Sequence, residues 1–155
     1  MKTFHPEFPS PYRLYILMRT DLPSMNPGRA MAQAAHAANQ FVYEHGKDKN
    51  VKKWQRDANG FGTTICLAAT KSSIDNLFKI DTQHLSGLVY DPTYKFEVSA
   101  ELSSYINIAA LTAPTIKKED GSSIMFRDEL TCAYIFISED DPDREKLVGH
   151  FSLHP

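Results

Sequence analysis

The sequence is poor in the features that mark several protein classes, and each shortage narrows the reading. Cysteine occurs twice, at Cys66 and Cys132, with no Cys/His spacing of the kind that holds zinc. Neither a disulfide framework nor a metal site is therefore expected. Each cysteine lies in an apolar run that reads as a buried strand, which suits reduced core thiols, although spacing alone leaves their meeting open. With seven glycines and nine prolines in 155 residues, collagen-like and low-complexity chains are excluded. No apolar run approaches the ~20 residues of a membrane helix, and the opening MKTFHPEFPSPYR has no apolar signal-peptide core. A cytoplasmic protein with no membrane contact is expected. Internal repeats are lacking too, as are G-x-x-x-x-G-K-[ST], G-x-S-x-G and H-E-x-x-H. No cofactor is implied.

What is present is ordinary in bulk and uneven in placement. Hydrophobic residues make up 42% and charged residues 23%, and a chain of this length buries roughly 68–70% of its unfolded surface. One domain over residues 1–155 is expected. The net charge of −2 hides an asymmetry. Residues 1–60 hold nine Lys/Arg against five Asp/Glu, whereas residues 61–155 hold eight against fourteen. The run KDKNVKKWQR (47–56) has five basic residues and one acid. Such a patch draws phosphates over about 10 Å at moderate salt, and equally serves as a solvated helix face.

An extended lead-in (1–11) precedes a strand over 12–18. Asn26 as N-cap and Pro27 at the first helical position open a long helix that ends near His45, before Gly46. A short helix (50–57), a break at NGFG, a strand (63–69), a helix from Ser72 or Ser73 to about residue 82 and a strand (87–91) follow. Residues 92–128 read as a long excursion resembling an insertion, with β pieces near 96–98, 105–111 and 123–126 and a turn at 119–121. A fourth strand (131–138) and a helix over 142–148 close the chain. This order predicts an α/β fold: a three-layer domain with a small, mixed, mostly parallel four-stranded sheet covered by helices. Ligands of such sheets bind beyond the carboxyl ends of the strands.

The first helix carries alanine at six of the nine positions 30–38, which permits close packing. Arg29, Gln33 and His36 fall on one stripe of it at i, i+4 and i+7. A helix N-terminus favours anions, and Gly28 and Arg29 suit a phosphate there. Plainer uses exist: an exposed polar face for the stripe, a structural role for His36, a turn at Asp91-Pro92, an ordinary strand position for Thr131 and loop ordering for Asp21.

The run RTDLPSMNPGRAMAQAAHAA (19–38) resembles the archaeal and eukaryotic type of peptidyl-tRNA hydrolase, the second of two unrelated families. Arg19, Asp21, Leu22, Met25, Gly28, Ala32, Gln33, His36 and Ala37 keep that family's spacing. Trp54, Asp91, Thr131 and the closing LVGHFSL are similar to later family positions, so the resemblance covers roughly residues 12–91 and 129–153. It departs at Pro27 and Arg29, where the family has lysines, at Pro92-Thr93, at Ala133 and in the length of the excursion. The resemblance implies metal-free hydrolysis of the ester between a peptide and tRNA. Arg29, His36, Asp91 and Thr131 would be catalytic. Arg19, Asp21, Gly28, Gln33, Lys52, Lys53 and Arg56 would bind substrate, the last three through acceptor-stem phosphates. The departures keep two alternatives open: an RNA- or protein-binding module whose site has eroded, and an enzyme for another small acyl substrate with the excursion as a lid. Aromatic residues of the excursion would suit a homodimer.

Overall fold

The computed structural model describes residues 9–80, 83–105 and 114–155. Its elements in chain order are β1 (Tyr12–Arg19), α1 (Pro27–His45), α2 (Lys49–Asp57), β2 (Thr64–Ala69), α3 (Lys71–Phe78), β3 (Leu85–Val98), α4 (Ala100–Ser104), β4 (Thr115–Lys117) and β5 (Ser123–Ser138). A short π-helical segment, Glu145–Gly149, follows.

β1 is central because its apolar run is buried on both faces. Leu14, Ile16 and Met18 join one core cluster under α1 and α2, with Ala30, Ala37, Phe41, Val51 and Trp54. Tyr15 and Leu17 join the other, with Ile74 and Leu77 of α3 and Leu147 and Val148 of the π-helical segment. Helix, sheet and helix therefore form three layers. Each large apolar side chain fully buried in them contributes about 1.5–3 kcal/mol. α1 starts where the sequence places it, with the Asn26 side chain accepting from the Arg29 N–H at 2.9 Å.

The sheet corrects two expectations. Among the described residues it has five strands, in the order β2-β1-β5-β3 with β4 paired to β5, and β1 with β2 is the parallel pair. β5 runs antiparallel to β1 on one side and to β3 on the other. The first three strands do share a direction, as β-α-β-α-β order requires. The reversed last strand inserts between β1 and β3 and makes most neighbours antiparallel. The free edge of β2 is covered by the C-terminus, where Ala68 N–H donates to Ser152 O at 2.8 Å and His154 N–H to Cys66 O at 3.0 Å.

The excursion is also different from an insertion. β3 continues past Asp91 to Val98, and β5 begins at Ser123 instead of residue 131. The two strands extend beyond the core as an antiparallel arm, with β4 on the other side of β5. The β pieces expected near 96–98 and 123–126 belong to it; the piece expected over 105–111 falls almost wholly on 106–113, outside the described residues. The last helix begins at Glu145 because Asp141-Pro142 forms a turn, in which the Asp141 carboxylate accepts from the Asp143 N–H at 2.8 Å. α3 begins at Lys71 because Thr70, not Ser72 or Ser73, caps it.

Candidate functional site

Two adjacent β-bulges lie where the core sheet passes into the arm. Register shifts separate Val89 from Tyr90 and Asp91 from Tyr94. The first leaves Thr131 as the extra residue on β5, and the second, at Pro92-Thr93, restores the register. Their effect shows in the side chains of β5. Residues 133, 135 and 137 face the α3 side, so regular alternation would send 131 there as well. Leu130 takes that face instead, and Thr131 turns to the α1 side. Bulges re-aim side chains in this way.

Thr131, turned inward and fully buried, donates its hydroxyl hydrogen to Gln33 Oε1 at 2.8 Å. That bond fixes the amide orientation of Gln33, which is itself 4% exposed. The amide nitrogen then donates to Asp91 Oδ2 at 2.6 Å. Asp91 Oδ1 accepts from the Thr93 N–H at 3.0 Å and from the Thr93 hydroxyl at 3.2 Å. Burial opposes ionisation of Asp91, but the Thr93 and Gln33 hydrogen bonds and the positive form of His36 outweigh it. Its pKa falls below the ordinary carboxylate value. Asp91 is thus a fixed anion, partly open to solvent, with three of about four lone-pair sites used.

The polar stripe of α1 runs along β3. Arg29 Nη1 donates to Ser24 O at 2.9 Å and Lys95 O at 3.2 Å, and its guanidinium sits 5.6 Å from the Tyr94 ring centroid. One turn on, Gln33 meets Asp91. Gln40, at the far end, donates to Leu88 O at 3.0 Å. His36 is exposed beside this row, and Gly28 is exposed in the first helical turn.

The other expected site residues divide into two groups. Arg19 is 6% exposed and pairs with Asp21 at 2.8 Å and Glu129 at 2.7 Å, while donating to Leu130 O at 2.9 Å. Burial disfavours its charge, yet these two acids hold its pKa above the ordinary value. Asp21 also accepts from the Lys71 N–H at 3.2 Å. The pair ties β1 to β5 and α3 instead of presenting the Arg19 donors to solvent. Lys52, Lys53 and Arg56 stand on α2, at the opposite end of the sheet. Asp57 of that helix accepts from the Ser10 N–H at 2.9 Å, just before β1, and from Lys53 at 2.6 Å. The length of β1, about 25 Å for eight residues at ~3.3 Å each, separates the two ends.

Sequence reasoning missed Thr93, Glu129 and Tyr94 as members of this site. Thr93 was discoverable, because Asp-x-Thr is a self-bonding turn pattern. Glu129 reaches Arg19 only through the β5 pairing, which local sequence does not reveal. Cys66 and Cys132 are both free thiols; burial raises both, Cys132 to about 12. Among the described residues no group of His, Cys, Asp or Glu is arranged to hold a metal ion.

Residues 12–90, just over half of the chain, match the family model described as peptidyl-tRNA hydrolase PTH2. The match ends one residue before Asp91, so Asp91, the second bulge, Thr131 and the arm lie outside it. No curated protein matches the chain.

Proposed function

The chain belongs to the peptidyl-tRNA hydrolase PTH2 family, and from that premise we propose that it cleaves the ester joining a peptide to the terminal ribose of tRNA. The observation that supports this reading most is the Thr131–Gln33–Asp91 chain of hydrogen bonds at the carboxyl end of β1. It delivers an ionised carboxylate with one acceptor site left, one helical turn along α1 from Arg29.

In this reading Asp91 accepts a hydrogen bond from the attacking water and takes its proton as the oxygen adds to the ester carbon. Its lowered pKa makes it a weak base at rest, so much of its contribution is orientation and charge. The oxyanion develops near Arg29, whose Nε and Nη2 make no hydrogen bond among the described residues. When the tetrahedral centre collapses, the carbon–ribose oxygen bond breaks and the proton passes to the leaving oxygen. The products are the tRNA hydroxyl and a peptide carboxylic acid, which loses its remaining proton to solvent to give the free carboxylate. The positive form of His36 favours the charge on Asp91. Thr131 is a positioning residue, acting through Gln33. Gly28 leaves the first turn of α1 open to a phosphate. The cations of α2 engage acceptor-stem phosphates at a distance and without base reading.

The test is release of peptide from purified peptidyl-tRNA by the wild type and by Asp91→Asn, with tRNA binding measured alongside. Turnover that falls at least 100-fold in the variant while binding is kept supports the reading. A wild type that binds tRNA without turnover makes the chain a binding module, and equal turnover of both proteins removes Asp91 from the mechanism.

A further inference from the structure

The arm and α2 differ in charge in a way that gives the substrate a direction. Residues 47–56 are net +4, whereas the stretch beyond Asp91, residues 92–128, is net −1, with four basic and five acidic side chains. Asp91 stands between them. α2 lies at the amino end of β1, and the arm continues β3 past its carboxyl end. A polyanion on one side of the scissile ester is drawn toward α2 and repelled from the arm, so the peptide side points to the arm.

The arm offers a place for it. A cleft of about 450 Å³ separates Pro23, Ser24, Met25, Asn26 and Arg29 from Phe96, Glu97 and Val98. The buried Tyr94 ring supports Phe96 from behind, with centroids 5.1 Å apart, and the Arg127 guanidinium lies against the Phe96 ring at 4.2 Å. Its lining is apolar through Pro23, Met25, Phe96 and Val98 and polar through Ser24, Asn26, Arg29 and Glu97. It begins at Arg29, one helical turn or about 6 Å from Gln33, and reaches Asn26 at about 10 Å. An extended peptide advances about 3.3–3.6 Å per residue. The second to fourth residues from the ester therefore come level with it. We propose that this cleft seats apolar side chains of the nascent peptide at those positions, making the arm a peptide-side specificity element. The inference rests on the hydrolase reading, and the arm's side of the cleft lies outside the family match.

The test compares kcat/KM for three substrates: tRNA carrying one N-acetylated glycine, an N-acetylated tetraglycine, and an N-acetylated tetrapeptide with leucine second and third from the ester. The wild type should prefer the leucine-containing peptide over tetraglycine by about tenfold, the contribution expected of one partly buried apolar side chain. That ratio should collapse toward one in Phe96→Ala and in Val98→Trp, which fills the cleft without deleting a side chain from the arm. A ratio near one in the wild type overturns the proposal, as does a ratio that persists in Val98→Trp. Equal loss of deacylated tRNA binding in the variants would assign the cleft to RNA instead and also overturn it. Failure of the wild type to hydrolyse any of the three substrates would instead sink the hydrolase reading itself.

Discussion

Thr131→Val removes one oxygen and keeps the shape, so its effect measures the buried hydrogen-bond chain. Thr131 is fully buried and Gln33 nearly so, and the substitution leaves Gln33 Oε1 without its donor in a place water does not reach. An unsatisfied buried acceptor costs about 1–3 kcal/mol. For a chain of this size each kcal/mol lowers Tm by about 2–4 °C, giving a fall of about 2–12 °C in a circular-dichroism melt. Activity should fall further than stability implies, because the Gln33 amide loses the bond that turns its nitrogen toward Asp91. We expect a drop in kcat of about tenfold or more, with tRNA binding little changed, since Thr131 touches no solvent. Thr131→Ser keeps the donor and should recover most of both losses. Thr131→Val within about 0.5 kcal/mol of the wild type and with unchanged kcat would refute the idea that this threonine sets the amide and, through it, the carboxylate.

Other outcomes follow from the same geometry. Asp91 is held below the ordinary carboxylate value, so its stabilising contribution is complete above the unfolded value near pH ~3.9. It disappears as pH falls through the lower folded value. Loss of Asp91 ionisation therefore leaves kcat/KM flat from pH 7 to about 5, and a limb centred near 6 that vanishes in Asp91→Asn would contradict this. Gly87→Ala should destabilise by about 1–3 kcal/mol through overpacking, because a Cβ there would come 2.5 Å from the Tyr134 hydroxyl oxygen; urea unfolding reads it. Lys52→Glu on the exposed face of α2 should leave the melt unchanged and lower the salt dependence of tRNA binding by about one phosphate contact or more; an unchanged salt slope would detach α2 from the RNA.

The elements that sequence reveals best here are those whose periodicity and caps agree. β1 announces itself as an apolar run, and α1 through Asn26, Pro27 and the alanine-rich surface. The stripe of Arg29, Gln33 and His36 was legible because helical spacing is fixed, and the structure sets that stripe along β3. The arm was hidden for equally physical reasons. Pro92 reads as a strand terminator, yet β3 lies at the edge of the sheet, where proline is tolerated, and the bulge there absorbs it. The start of β5 was masked by Arg127, Asp128 and Glu129, charges acceptable on strands that leave the core. The sheet's antiparallel neighbours depend on where β5 inserts, a long-range choice that local pattern does not encode. The same holds for Arg19 and Asp21, which look like ligand-binding groups in sequence and prove to be tied into the sheet by Glu129. The basic run 47–56 has the charge of a phosphate-binding segment, but only the fold reveals that it stands about a strand length from Asp91.

In the proposed reaction Asp91, fixed by Gln33 and Thr93, drives water onto an ester linking peptide to tRNA. The most direct measurement is single-turnover release of peptide from peptidyl-tRNA at saturating enzyme, comparing the wild type with Asp91→Asn at equal tRNA occupancy. Release by the wild type and a rate at least 100-fold lower in the variant are expected, with both proteins holding the tRNA alike. Wild-type protein that saturates with peptidyl-tRNA and leaves the ester intact, or a variant that cleaves at the wild-type rate, would contradict the proposal.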